Sequence, residues 1–379
     1  MNPPVYLDYN ATTPIDPHVL EAMRPWLGAG FGNPSSDHAY GRQAREAVAL
    51  ARAQVAALIG AQPGEILFTG CATEANNLAI LGAARALRGR GRHVIASAVE
   101  HPAVAGPMAH LRDQAWEVTV LDVDAYGRVS PATLAAALRD DTVLVSVMHA
   151  NNEVGTLQPI AELAALARRR GALFHTDAAQ SAGKLPVDVA ALGVDLLTLA
   201  GHKCYAPKGV GALFVREGTS LEPILFGAGH ERGLRPGTEN VPHIVGFGAA
   251  AALALRRLPA LTERLRGQRD ALHARLAAAV PGLALNGHPD ERLPNTLNVS
   301  FPRVSGRELL ARTPSVAASV GSACHAEAAG VSGVLGAMGL TAARAQGAVR
   351  LSIGEPTTET DIGRGADALA ATWRALVAP

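Results

Sequence analysis

Thr198-Leu199-Ala200-Gly201-His202-Lys203-Cys204-Tyr205 is the stretch whose reading decides the fold. An apolar run from Val194 to Leu199 leads into Gly-His-Lys, and the turn Ala206-Pro207-Lys208-Gly209 follows. That pattern reads as a buried strand delivering a lysine at its carboxyl end. An amine at the exit of a buried strand is desolvated, which lowers its pKa and frees it for Schiff-base chemistry. Upstream, Ala172-Leu173-Phe174-His175-Thr176-Asp177-Ala178-Ala179-Gln180 repeats the pattern, with a carboxylate at the strand end. Strand and helix patterns alternate over 65–216, which predicts an α/β fold with a mainly parallel sheet covered by helices.

Pyridoxal phosphate needs a lysine for its imine and an acid to hold its pyridinium nitrogen protonated. Lys203 and Asp177 at neighbouring strand ends supply that pair, and a buried Asp needs such a cation. The other bounds agree. The 379 residues suffice for two domains, nearly half are apolar, and the net charge of +1 leaves no electrostatic footprint for nucleic acid. Three cysteines are too few for a disulfide framework and fit a reducing compartment. The N-terminus shows no signal-peptide pattern, and the longest apolar run, 244–255, is too short to span a bilayer. The expectation is a cytoplasmic protein off the membrane, without a metal site.

Other segments carry chemistry in their residue types. Glu65-Ile66-Leu67-Phe68-Thr69 reads as a strand, and Gly70-Cys71-Ala72-Thr73-Glu74 opens a helix to about residue 87. Small residues between a strand and a helix N-terminus admit an anion to the backbone N–H groups. Val99-Glu100-His101-Pro102 sets a histidine at a strand-to-helix junction, and its near-neutral pKa suits proton transfer. Asn152 follows the strand at 142–149, and Asn33 lies in the loop Gly32-Asn33-Pro34-Ser35-Ser36. Helices are expected at 21–27, 42–59, 131–138, 160–170 and 358–376, with one at 241–280 broken near Pro259. Short strands are expected at 295–301, 316–321 and 349–353. Arg350 inside the last of these needs a carboxylate partner. Cys324 sits in Gly321-Ser322-Ala323-Cys324-His325-Ala326-Glu327, a run without apolar periodicity. That suits an exposed, mobile thiol, with His325 lowering its pKa.

The order Asp177, Gln180, His202-Lys203, together with Val320-Gly321-Ser322-Ala323-Cys324, closely resembles the class V aminotransferases. More narrowly, it resembles the NifS-like cysteine desulfurases and selenocysteine lyases. The resemblance runs from Tyr6 to about Leu376, and it implies fold type I of the pyridoxal-phosphate enzymes. That fold has a large domain, 15–255, with a mainly parallel seven-stranded sheet. Residues 1–14 and 256–379 form a smaller α+β domain bearing the nucleophilic cysteine loop. By the same resemblance, Ala72, Thr73 and His202 hold the cofactor phosphate. His101 stacks on the ring, Asn152 and Gln180 contact the ring oxygen, and Asp177 meets its nitrogen. Thr238, in the Gly-rich loop at 226–240, reaches the phosphate of the partner subunit's cofactor and so implies a homodimer. Asn33, Asn152 and Arg350 bind substrate, Arg350 through its α-carboxylate.

Three positions depart from the family pattern. Gly70-Cys71 replaces Ser-Gly, Ala200 replaces a phosphate-binding serine, and Glu355 replaces an arginine and is expected to make the rim more acidic. Selenocysteine lyases of the mammalian type also carry an apolar residue at the position of Ala200. The resemblance implies conversion of L-cysteine to L-alanine, with sulfur passing to Cys324 as a persulfide for an acceptor protein. The alternative is a selenocysteine lyase. Further off lie a transaminase or β-lyase without persulfide, and a non-enzymatic scaffold. The chain ends at Pro379 without the longer tail that docks iron–sulfur scaffolds, which leaves the acceptor unidentified.

Overall fold

The computed structural model of the chain describes residues 3–321 and 332–378. After a two-residue strand β1 (Val5–Tyr6), seven strands form one sheet. They are β2 (Ile66–Thr69), β3 (His93–Ser97), β4 (Glu117–Leu121), β5 (Thr142–Ser146), β6 (Leu173–Asp177), β7 (Leu196–Ala200) and β8 (Gly211–Val215). Their order across the sheet is β2-β8-β7-β6-β5-β3-β4. Strand β8 runs antiparallel to both its neighbours, and every other pair is parallel. The parallel strands bring their carboxyl ends to one edge of the sheet. The register Asp177↔Thr198 sets the ends of β6 and β7 side by side.

Burial on both faces explains why these strands read as continuous apolar runs. Alternate residues feed opposite cores: Leu197 and Phe214 join one, Leu196 and Leu213 the other. Each such side chain, fully buried, contributes about 1.5–3 kcal/mol. Helices Ala39–Leu58, Ile160–Arg169 and Val241–Ala279 cover the first face, and Ala72–Leu87 and Pro102–Asp113 the second.

A separate core gathers around β9 (Ala284–Asn286), β10 (Thr296–Ser300) and β12 (Ala348–Ser352), an antiparallel sheet in the order β12-β10-β9. Strand β11 (Val316–Ala317) pairs in parallel with β1, and Val5 and Leu7 pack into this second core. The closing helix Glu359–Val377 is capped by Thr358, whose hydroxyl and Asp361 satisfy each other's backbone N–H groups.

Three expectations need correction. The helix expected over 21–27 is instead Pro17–Met23 followed by a 3₁₀ turn, Arg24–Leu27. Asp16 starts it by accepting the His18 N–H, and Pro17 fixes the first turn. Pro259 does not break its helix, which runs unbroken over Val241–Ala279. The carbonyl that loses its donor belongs to Leu255, on the exposed side. The same helix is long and apolar enough to cross a membrane by length and composition. Here, however, Ile244, Phe247, Ala250 and Ala251 are buried in the core of the large sheet. The division expected at residue 255 falls inside this continuous helix.

Candidate active site

A cavity of about 310 Å³ opens at the carboxyl edge of the parallel strands. Of the residues singled out from sequence, Ala72, Thr73, His101, Asn152, Asp177, Gln180, His202, Lys203 and Arg350 all line it. Strand β6 delivers Asp177 directly, while β7 runs into a 3₁₀ turn, Gly201–Lys203, that turns the lysine inward. Gly201 is needed at that turn, because a Cβ there would lie 2.8 Å from Val210 Cγ1 and 3.0 Å from its carbonyl oxygen.

Asp177 is buried and fully engaged. Its Oδ1 accepts the Ala179 N–H at 2.9 Å, and its Oδ2 accepts Asn76 Nδ2 at 2.7 Å. The Lys203 amine donates to the carbonyls of Asn10 and Ala11, the latter at 2.8 Å. His202 shares a hydrogen bond with Thr12 Oγ1 at 3.1 Å. Burial, then the nearby charge of Lys203, pushes its pKa down to about 4, so it is a neutral ring at physiological pH.

At the opposite end lies the N-terminus of the Ala72–Leu87 helix. Cys71 caps it, with Sγ accepting the Glu74 N–H at 3.4 Å. The extra side chain at 71, relative to glycine, thus serves as the cap. Cys71 is exposed on the cavity, whereas Cys204 is buried and its thiol pKa is pushed up to about 12, which makes it inert. His101 caps the Pro102–Asp113 helix, its Nδ1 accepting the Ala103 N–H at 3.1 Å. The neutral ring therefore carries its proton on Nε2.

Arg350 arrives from β12 of the second core. Its Nη2 meets Asp8 Oδ1 at 2.8 Å, its Nη1 donates to the Asn152 carbonyl at 3.1 Å, and its Nε is buried without a partner. That orphan N–H is open to a ligand carboxylate. Not every residue named from sequence reaches the cavity. Asn33 is exposed and accepts the Ser35 N–H, and Thr238 is exposed on its loop. That loop is pinned by Arg235 to Glu74 at 2.9 Å and by a two-pronged Arg52–Glu231 pair. Cys324 lies outside the described residues. Glu355 does not make the rim more acidic: its carboxylate pairs with Arg257 at 3.0 Å, away from the cavity lining.

Sequence reasoning missed four residues. Asn76 holds Asp177. Glu100 lines the cavity with a buried, unpartnered Oε2. Asn10 and Lys184 form a polar knot behind Gln180. Lys184 Nζ donates to Gln180 Oε1 at 3.0 Å and Asn10 Oδ1 at 3.3 Å, and Gln180 Nε2 donates to the Asn10 carbonyl at 3.1 Å. Burial, then Lys203, pushes the Lys184 pKa down to about 7. The sequence signal available was polar residues at strand or turn ends, which ordinary turns share.

The residues present fit pyridoxal phosphate. A helix N-terminus suits the phosphate, a doubly supported carboxylate suits the pyridinium N–H, and a half-buried lysine amine lies between the two cores.

Comparison with known proteins points the same way. The aminotransferase class-V family model matches residues 5–364. The cysteine desulfurase IscS of Anaeromyxobacter sp. (strain Fw109-5) is 49% identical over 365 residues, covering 96% of this chain and 90% of the relative. Among solved structures, a NifS-like protein superposes with a TM-score of 0.91 at 36% identity, over 97% of this chain and 98% of that one. SspA, solved in complex with cysteine, gives a TM-score of 0.82 at 37% identity over 92% and 98% of the two chains.

Proposed function

The chain belongs to the class-V aminotransferase family, and on that premise we propose that it is a pyridoxal-phosphate-dependent cysteine desulfurase. It converts L-cysteine to L-alanine and passes the sulfur to the thiol of Cys324 for delivery to an acceptor protein. The observation that carries this reading is the meeting of Lys203, Asp177, His101 and Arg350 around one cavity with a helix N-terminus at its far end.

When bound, the cofactor supplies an electron sink conjugated to the substrate Cα. Asp177 holds the proton at the pyridinium nitrogen, and its two donors, Asn76 and the Ala179 N–H, keep it oriented and ionised. Thr73, Ala72 and the backbone at the helix N-terminus hold the phosphate, with His202 beside them. Lys203 anchors the cofactor and then moves the Cα proton. His101 handles protons at its Nε2 face, where the substrate thiol must lose one. Arg350 orients the substrate through its α-carboxylate, with Asn152 alongside, while Gln180 and Asn152 fix the ring oxygen. Asn33 closes the substrate-binding set. Thr238 serves the partner's site in a cytoplasmic homodimer, a reading supported by its exposure on a pinned loop.

Selenocysteine lyase is the second reading, favoured by Ala200 on the cavity wall, where many desulfurases carry serine. A product assay on L-cysteine and L-selenocysteine separates the two, run with wild type and Cys324→Ala. A desulfurase releases alanine from cysteine and loses that turnover by orders of magnitude in Cys324→Ala. Selenide release surviving in Cys324→Ala, with negligible cysteine turnover throughout, identifies the lyase. Pyruvate or another keto acid in place of alanine overturns both.

A further inference from the structure

Glu100 is held in an unusual way for a carboxylate. Its Oε1 accepts two hydrogen bonds, from Ser97 Oγ at 2.6 Å and from the Met148 N–H at 2.9 Å. Its Oε2 is buried and accepts none, although Glu100 lines the cavity. One oxygen is saturated by groups from two adjacent strand ends, and the other is left bare in a dry site. A bare, ionised oxygen there costs several kcal/mol of desolvation. A carboxylic acid removes the conflict: Oε1 is then the carbonyl oxygen, and Oε2 bears a hydrogen directed at the cavity.

We propose that Glu100 is a positioning residue that works in its protonated form, donating a hydrogen bond from Oε2 to an acceptor atom of the bound cofactor–substrate pair and leaving the negative charge at that end to Asp177. The proposal deepens the function argued above, because it concerns the charge balance of the same site. The other ionisable groups around the cavity are His101, Glu153, Asp177, His202, Lys203 and Arg350. Burial pushes the Glu100 carboxyl up to about 8 against the pull of its two donors, and the charge of Asp177 adds to the rise. The acid is a neutral donor at pH 7. Above pH 8 it becomes a second carboxylate competing with Asp177 for one cation.

The test is infrared difference spectroscopy on the full-length protein as isolated, wild type minus Glu100→Gln, across pH 6 to 10. Glutamine preserves the acceptor at Oε1 and a donor in place of Oε2–H. The expected result is a protonated-carboxyl C=O stretch in wild type that is absent in Glu100→Gln. Its amplitude falls about tenfold between pH 7 and pH 9, as a single group titrating near 8 requires. No such band at pH 6, or a band that persists in Glu100→Gln, overturns the proposal. A companion measurement follows kcat/KM for cysteine against pH. Wild type should show an alkaline limb near pH 8 that Glu100→Gln lacks, and an identical limb in both also overturns the proposal. If no alanine forms from cysteine at any pH, the desulfurase reading fails, while the infrared band still decides the state of Glu100.

Discussion

The carboxamide of Asn76 is fully buried, gives one N–H to Asp177 Oδ2, and keeps an unpartnered Oδ1. Asp177 must stay ionised to hold a pyridinium proton, and Asn76 is half of what keeps it so. Asn76→Ala strips one donor from a buried carboxylate. It is expected to cost about 1–3 kcal/mol of stability in urea titrations. Asn76→Asp should do worse, because a second carboxylate at that distance raises the Asp177 pKa and weakens cofactor retention. A retention constant unchanged in Asn76→Asp would show that Asp177 does not serve the ring. Nothing in the sequence marks this pair, since its members are 101 positions apart and each has innocent neighbours. Lys203 and Asp177 were legible because each ends an apolar run, whereas Glu100, Lys184 and Asn10 acquire meaning only from what folds against them.

Strands carried the readable part of the fold. The β2 to β8 segments are buried on both faces, so hydrophobicity announces them and turn residues bound them closely. Strand β9 escaped notice because its three residues, Ala284–Asn286, show neither length nor alternation. The first helix started early because a side-chain cap, not apolar spacing, fixes its origin. Strand β7 offers a test at this scale. Its last residue, Ala200, is 4% exposed and lies on the cavity wall, just before the turn that delivers Lys203. Ala200→Ser adds a hydroxyl there. If that wall faces the phosphate, one net hydrogen bond tightens cofactor binding about two- to tenfold, as read by equilibrium dialysis. Unchanged or weaker binding would mean that this end of β7 faces another part of the ligand.

The two cores of the molecule meet at Asn10, which ties β10 and β12 to the large sheet's polar knot through Thr296, Ser352, Gln180 and Lys203. Around this junction and inside the sheet, three histidines are held neutral. Burial pushes His149 to about 4 and His175 to about 3, and burial with Lys203 pushes His202 to about 4. His175 spans three strands, bonding Ser146 Oγ at 2.8 Å and Thr198 Oγ1 at 3.1 Å. Unfolded, all three titrate near 6.5. As pH falls below that value the unfolded chain takes up protons that the fold refuses, so stability drops towards pH 4. Glu100 acts the other way, since between about 4.5 and 8 the fold binds its proton more tightly than the unfolded chain does. Setting His202 aside as partly exposed, two histidines against one glutamate leave an excess of about one proton, or roughly 1.4 kcal/mol per pH unit at most. Urea titrations of the full-length protein should therefore show a loss of roughly 2 kcal/mol between about pH 6.5 and 4.5. His175→Gln, which cannot take up that proton, should flatten the slope even if it lowers stability at pH 7. A variant slope as steep as wild type would assign the acid sensitivity to other groups.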